Sequence, residues 1–71
     1  DERRQLVRQT LARLSRRDAE ILLLKYTEGW SYRRLAEHLG ISESAVEARL
    51  HRARARMRAQ LVAREAIEVE T

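Results

Sequence analysis

The sequence predicts a small all-α domain of four helices, the last two forming a helix-turn-helix with a long C-terminal helix. Three observations carry this. The chain of 71 residues has no proline and only two glycines, Gly29 and Gly40, and both fall where an apolar stripe of helical period stops. Its residues are 44% hydrophobic but only 4% aromatic, and no β-branched run marks a strand. Ser15, Ser31 and Ser42 each stand just ahead of an apolar stripe. That is the place of an N-cap, whose side-chain oxygen accepts a bond from a backbone N–H left free in the first helical turn.

The first helix is expected over Asp1–Leu14. Leu6, Val7, Leu11 and Leu14 line one face, with Thr10 at its edge, and Asp1 and Glu2 suit the positive end of the helix dipole. Arg3, Arg4, Arg8 and Arg13 read as solvated. Ser15-Arg16-Arg17-Asp18 reads as a capping box, with Asp18 reaching back to the cap. The second helix then runs to about Glu28. Ala19, Leu22, Leu23 and Tyr26 form its stripe and Ile21 and Leu24 widen it, so this helix is expected to be the most buried. Gly29 ends it, and Tyr26 and Trp30 are expected to pack between it and the next helix.

The stretch Ser31–Leu50 organises the rest. Ser31 caps a short helix over Tyr32–Leu39, with Trp30 as a hydrophobic staple onto Leu35. Leu35, Ala36 and Leu39 share a face, and Ala36 is small enough for a second helix to cross closely. Gly40 follows where the backbone needs positive φ. Ile41 and Ser42 repeat the staple and the cap, and the last helix buries Val46 and Leu50. That spacing is the helix-turn-helix, whose second helix enters the DNA major groove. Any small bundle with a glycine turn would share it.

The continuation of the last helix separates the two readings. Val46, Leu50, Ala53, Met57 and Leu61 make one core stripe; Arg49, Arg52 and Arg56 lie along one flank and Arg54 and Arg58 along the other. Ser44, Ala48, His51 and Ala55 point away from the core. So many like charges on one helix repel one another, and a polyanion removes that cost. Short outward residues let the helix approach base edges, while long cations reach the phosphate walls. In the helix before the turn, Arg33 and Arg34 lie where it would cross the DNA backbone. His38 reads as a surface residue.

Composition sets the outer bounds. Fifteen Lys+Arg against eleven Asp+Glu give a net charge of +4, and every base but Lys25 is arginine. Arginine bonds phosphate and guanine in a planar fork; a GC-rich genome gives the same bias, so composition leaves both accounts open. There is no cysteine, hence no disulfide or thiolate metal site. No metal or other cofactor is expected. No carboxylate pair in a cleft-like context, nucleotide-binding glycine loop or nucleophile constellation points to an enzyme. No apolar run approaches membrane-spanning length, and no signal peptide is read, so a cytoplasmic location is expected. One domain is expected over 1–71, with its core at about 5–62. The stretch 63–71, where Glu65, Glu68 and Glu70 replace the arginines, is expected to fray or to pack on a partner. Beginning at Asp1, the chain is expected to be a piece of a longer protein.

From Leu11 to Leu61 the sequence resembles region 4 of bacterial sigma factors, especially the extracytoplasmic-function group. ARLSRRDAEILLLKYTEGWSY is similar to the family's opening helices and its EG-x-SY turn, and LAEHLGIS to its first motif helix. ESAVEARLHRARARMR is similar to its recognition helix, where Arg49, Leu50, Arg52, Ala53 and Arg54 fit the family's R-L-x-R-A-R run. The resemblance implies recognition of the −35 promoter element by the last helix, docking on the flap of the RNA polymerase β subunit, and occlusion by an anti-sigma factor. By position it makes Ser44, Ala45, Glu47, Ala48, Arg49, His51 and Arg52 DNA-facing. With Arg33, Arg34, Ser42 and Arg56 these form the candidate DNA-binding set.

Three departures bear on which −35 sequence is read. Arg33 and Arg34 stand near positions often acidic in the family, Glu47 where a cation is usual, and Ala48 where serine is common. The Glu47 carboxylate has three readings: acceptor of a hydrogen bond from cytosine N4, partner of His51 one turn on, or a solvated group. The alternatives to a sigma domain are the LuxR-type output domain of response regulators, whose last helix normally lacks the arginine run, and a protein-only helical adaptor, which Glu47 and the acidic tail favour.

Overall fold

The computed structural model describes the backbone of residues 2–70 and the side chains of residues 2–64. Four helices follow one another: α1 (Glu2–Arg13), α2 (Arg16–Tyr26), α3 (Tyr32–Leu39) and α4 (Glu43–Glu70). All three expected caps form. Ser15 Oγ accepts from the Asp18 N–H at 3.2 Å, Ser31 Oγ from Arg34 at 3.1 Å and Ser42 Oγ from Ala45 at 3.1 Å. Helix α2 stops at Tyr26, two residues short of the expected Glu28. The Thr27 and Glu28 amides turn back to the Leu23 carbonyl, and Trp30 N–H reaches the Leu24 carbonyl across Gly29, which has φ +69°.

Gly40 closes α3 in the left-handed conformation, φ 68° and ψ 35°, with its N–H donated to the Ala36 carbonyl. A Cβ at Gly40 would meet no atom within 4 Å, so the cost of a side chain there is backbone strain alone. Gly40→Ala is therefore expected to lower stability by about 1–2 kcal/mol without disturbing the packing. The check is thermal unfolding beside Gly40→Asn, which tolerates this conformation better and should lose less.

The core is built on α4, which packs against each of the other three helices. Leu35, Val46, Leu50 and Ala53 are fully buried, joined by Ile21, Leu22 and Ala36, and Leu11, Leu14, Leu24, Trp30, Leu39, Ile41 and Met57 pack around them. At about 1.5 Å per residue the 28 residues of α4 span about 42 Å, close to the 44 Å longest dimension of the fold.

Two expected faces are corrected. In helix α2 two residues of the expected stripe lie at the surface: Leu23 is 42% and Tyr26 58% exposed. The buried seam of α2 runs instead through Asp18, Ile21 and Leu22 toward Lys25, the i, i+3, i+4, i+7 spacing with a charged residue at each end. Hydrophobicity alone picks the neighbouring face, because it discounts Asp18 and Lys25. Both ends are satisfied. Asp18 binds Arg56, and Lys25 Nζ donates to the Trp30 carbonyl at 3.3 Å and lies 4.8 Å from the Tyr32 ring centre. In α1, Thr10 is the residue buried completely, while Val7 is exposed. Thr10 Oγ1 donates to the Leu6 carbonyl at 2.7 Å, so its hydroxyl enters the core already paired. Arg64 Nη1 donates to the Gln9 side chain at 3.1 Å, linking α4 to α1. Side chains beyond Arg64 lie outside the described residues, and with them the expected behaviour of the acidic tail.

Candidate nucleic-acid interface

Helix α3, the Gly40 turn and the first half of α4 present one surface. Ser42 is spent as the cap that fixes where α4 begins. Beyond it Ser44, Glu47, Ala48, His51 and Arg52 are exposed and Ala45 and Arg49 half-exposed, while Val46 and Leu50 are fully buried beneath them. The core stripe of α4 thus dictates which side chains face outward. Glu47 and His51, one turn apart, make no hydrogen bond or ion pair with each other or with any other described residue, so pairing is not the state of Glu47 here. Among the described residues neither Arg49 nor Arg52 has a carboxylate partner, and both border a recess with Ser15, Arg17, Asp18 and Arg56.

The other candidate arginines are engaged by the fold. Arg33 pairs with Glu37 one turn on at 3.4 Å, both well exposed, a contact worth little and readily exchanged. The Arg34 guanidinium stacks on Trp30, 3.9 Å from the ring centre, and His38 meets the same ring edge-on at 5.1 Å. His38 Nε2 also lies 3.4 Å from Glu20 Oε1, so this surface histidine links α3 to α2. Arg56 Nη1 donates to both Asp18 oxygens, at 3.0 and 2.9 Å. The Asp18 carboxylate does not reach back to its own cap as the capping-box pattern predicts; it crosses to α4. The signal that exposes it in sequence is its place in the α2 seam, not its place after Ser15.

The opposite flank of α4 has another character. Arg54 and Arg58 edge an apolar groove formed by Val7, Leu11, Leu22, Leu23, Tyr26, Met57 and Leu61. Arg54 Nη1 donates to the Tyr26 hydroxyl, and that bond holds the arginine pKa above its ordinary value. The sequence run of arginines is one feature; in the fold it divides between a polar recess and an apolar groove. Among the described residues no group of histidines and carboxylates is arranged to hold a metal ion, and no helix is long and apolar enough to cross a membrane.

A short helix, a left-handed glycine turn and a second helix with small outward residues, beside arginines that have no carboxylate partner among the described residues, make up a helix-turn-helix domain of the DNA-binding kind. The chain belongs to the family described as sigma-70, region 4, whose pattern matches residues 4–57. It is also 38% identical over 60 residues to the positive control factor of Bacillus subtilis (strain 168), across 84% of this chain and 36% of that protein. The chain thus spans little more than a third of that relative's length. Membership of the sigma family decides between the two helix-turn-helix readings, against the LuxR-type output domain.

Proposed function

We propose that the chain binds promoter DNA at the −35 element, as the part of an extracytoplasmic-function sigma factor that helps direct RNA polymerase to start transcription. The observation that carries this is the exposed strip Ser44–Ala48–His51 on α4, seated by the fully buried Val46 and Leu50 and bordered by Arg49 and Arg52, which have no carboxylate partner among the described residues. In this reading the strip faces base edges and the arginines reach phosphates or a guanine. Ala45 and Ser42 sit at the entry of α4 into the groove, and Arg33 and Arg34 face the backbone crossed by α3. Arg33 exchanges Glu37 for a phosphate, and Arg34 is presented by its stack on Trp30. Glu47, without a partner among the described residues, is free to accept from a cytosine N4 amino group.

The polymerase contact is assigned to the β-subunit flap, with the apolar groove of α1, α2 and α4 as its seat. That groove lies on the flank of α4 away from Arg49 and Arg52, so flap and promoter can be held together. An anti-sigma factor would act by covering α4. With these partners the chain would work in the cytoplasm, and in this reading it has no cofactor and no catalytic role.

Salt dependence tests the reading. If about three to five phosphates are neutralised, the slope of log affinity against log salt is expected near −3 to −5. A flat response would instead support the protein-only adaptor, in which α4 never meets a polyanion.

A further inference from the structure

Asp18 is the acidic side chain set among the arginines of the DNA-side flank. Its side chain is only 12% exposed, and both carboxylate oxygens are held by Arg56 Nη1. Arg17, Arg49 and Arg52 border the same recess and have no carboxylate partner among the described residues. The four arginines therefore differ in what they can offer a polyanion. Arg56 already carries its counter-charge, so turning it to a phosphate would exchange one anion for another and strand a nearly buried carboxylate. Such an exchange brings no net neutralisation and releases no extra counterion.

We propose that Asp18 is a positioning residue for DNA recognition: it withholds Arg56 from the DNA backbone and confines the phosphate contacts of α4 to Arg49 and Arg52, beside the base-facing strip. This rests on the DNA-binding reading above and departs from the expectation that Arg56 itself contacts DNA. A phosphate contact strengthens binding to every sequence and carries no sequence information. Holding back one arginine far along α4 lowers affinity for arbitrary DNA and leaves base contacts untouched. Asp18 thereby raises the ratio of specific to non-specific binding. It does so from α2, 38 positions away in the chain from the arginine it holds.

The test uses Asp18→Asn and Arg56→Gln in this chain, with circular dichroism to establish folding. The probes are a duplex enriched from a random pool by the wild-type chain and a random-sequence duplex of equal length, each titrated over a range of salt. For Asp18→Asn the salt slope is expected to steepen by about one unit as Arg56 is released to a phosphate. Affinity for the random duplex should rise and the ratio between probes fall. Arg56→Gln is expected to leave the slope unchanged. A merely structural ion pair would instead make Asp18→Asn weaken both probes with no change of slope, which overturns the proposal. So does a slope shallower by about one unit in Arg56→Gln, and that measurement decides alone if Asp18→Asn does not fold. A salt-insensitive wild type would sink the DNA reading and this inference together; a salt-sensitive wild type with a shallower Arg56→Gln slope sinks this inference only.

Discussion

Leu50→Ala is expected to cost about 2–5 kcal/mol of folding stability, the range for emptying a filled leucine site that cannot collapse. Leu50 is fully buried at the centre of the α4 stripe, with Val46 before it, Ala53 after it and Leu35 of α3 in the same cluster. The loss is large for this chain. At about 0.05–0.15 kcal/mol per residue, a domain of this length has a margin of the same order as the loss. The leucine also sets function at one remove, because seating α4 by its inner face fixes the angle at which Ser44, Ala48 and His51 face outward. Urea denaturation gives the measurement. A variant that unfolds at the parent's midpoint would show that the helix is seated by something other than this stripe.

The second large effect is expected at the DNA. Arg49→Ala or Arg52→Ala should each weaken binding to the preferred duplex by about 1–3 kcal/mol where the side chain makes a bidentate base contact, with relaxed selectivity at one base pair. Arg58→Ala should cost less, and equally for all sequences. Arg58 stands two turns beyond Leu50, on the flank that edges the apolar groove, and meets DNA only through the long-range field. Selection from a random duplex pool with each variant separates the cases. Equal losses at the three positions, with no altered preference, would mean that neither Arg49 nor Arg52 reads a base.

Glycine and serine positions were the most legible part of the sequence. Ser15, Ser31 and Ser42 all cap, and Gly29 and Gly40 both take positive φ. Such signals work through atoms three or four residues apart, so the sequence window that contains them contains the whole cause. The stripe Val46–Leu50–Ala53–Met57–Leu61 was legible for a related reason. On a helix with every residue in register, period alone fixes the face, and Val46, Leu50 and Ala53 are indeed fully buried. The two flanks of α4 followed from the same geometry, with Arg49, Arg52 and Arg56 on one recess and Arg54 and Arg58 on another.

Helix α2 shows where that reasoning ends. Its apolar residues nearly encircle it, so period leaves two faces open, and the chain buries Ile21 and Leu22 while exposing Leu23 and Tyr26. What decides between them is partners far away in the chain: Arg56 for Asp18, 38 positions on, and Arg54 for the Tyr26 hydroxyl, 28 positions on. Thr10 follows the same rule: it is fully buried in α1, which packs on α4, and its own helix satisfies its hydroxyl.

By itself, then, the sequence determined the number of helices, the caps and the turn between α3 and α4, the buried stripe of α4 and the outward strip beside it. Each depends on local hydrogen bonding or on helical period. Only the tertiary structure decided which face of α2 is buried, that Arg34 stacks on Trp30, that Arg56 belongs to Asp18, and that one arginine flank borders a polar recess while the other edges an apolar groove. A charged side chain can be assigned only once the distance to every opposite charge is known, and those distances arise when helices distant in sequence are packed together.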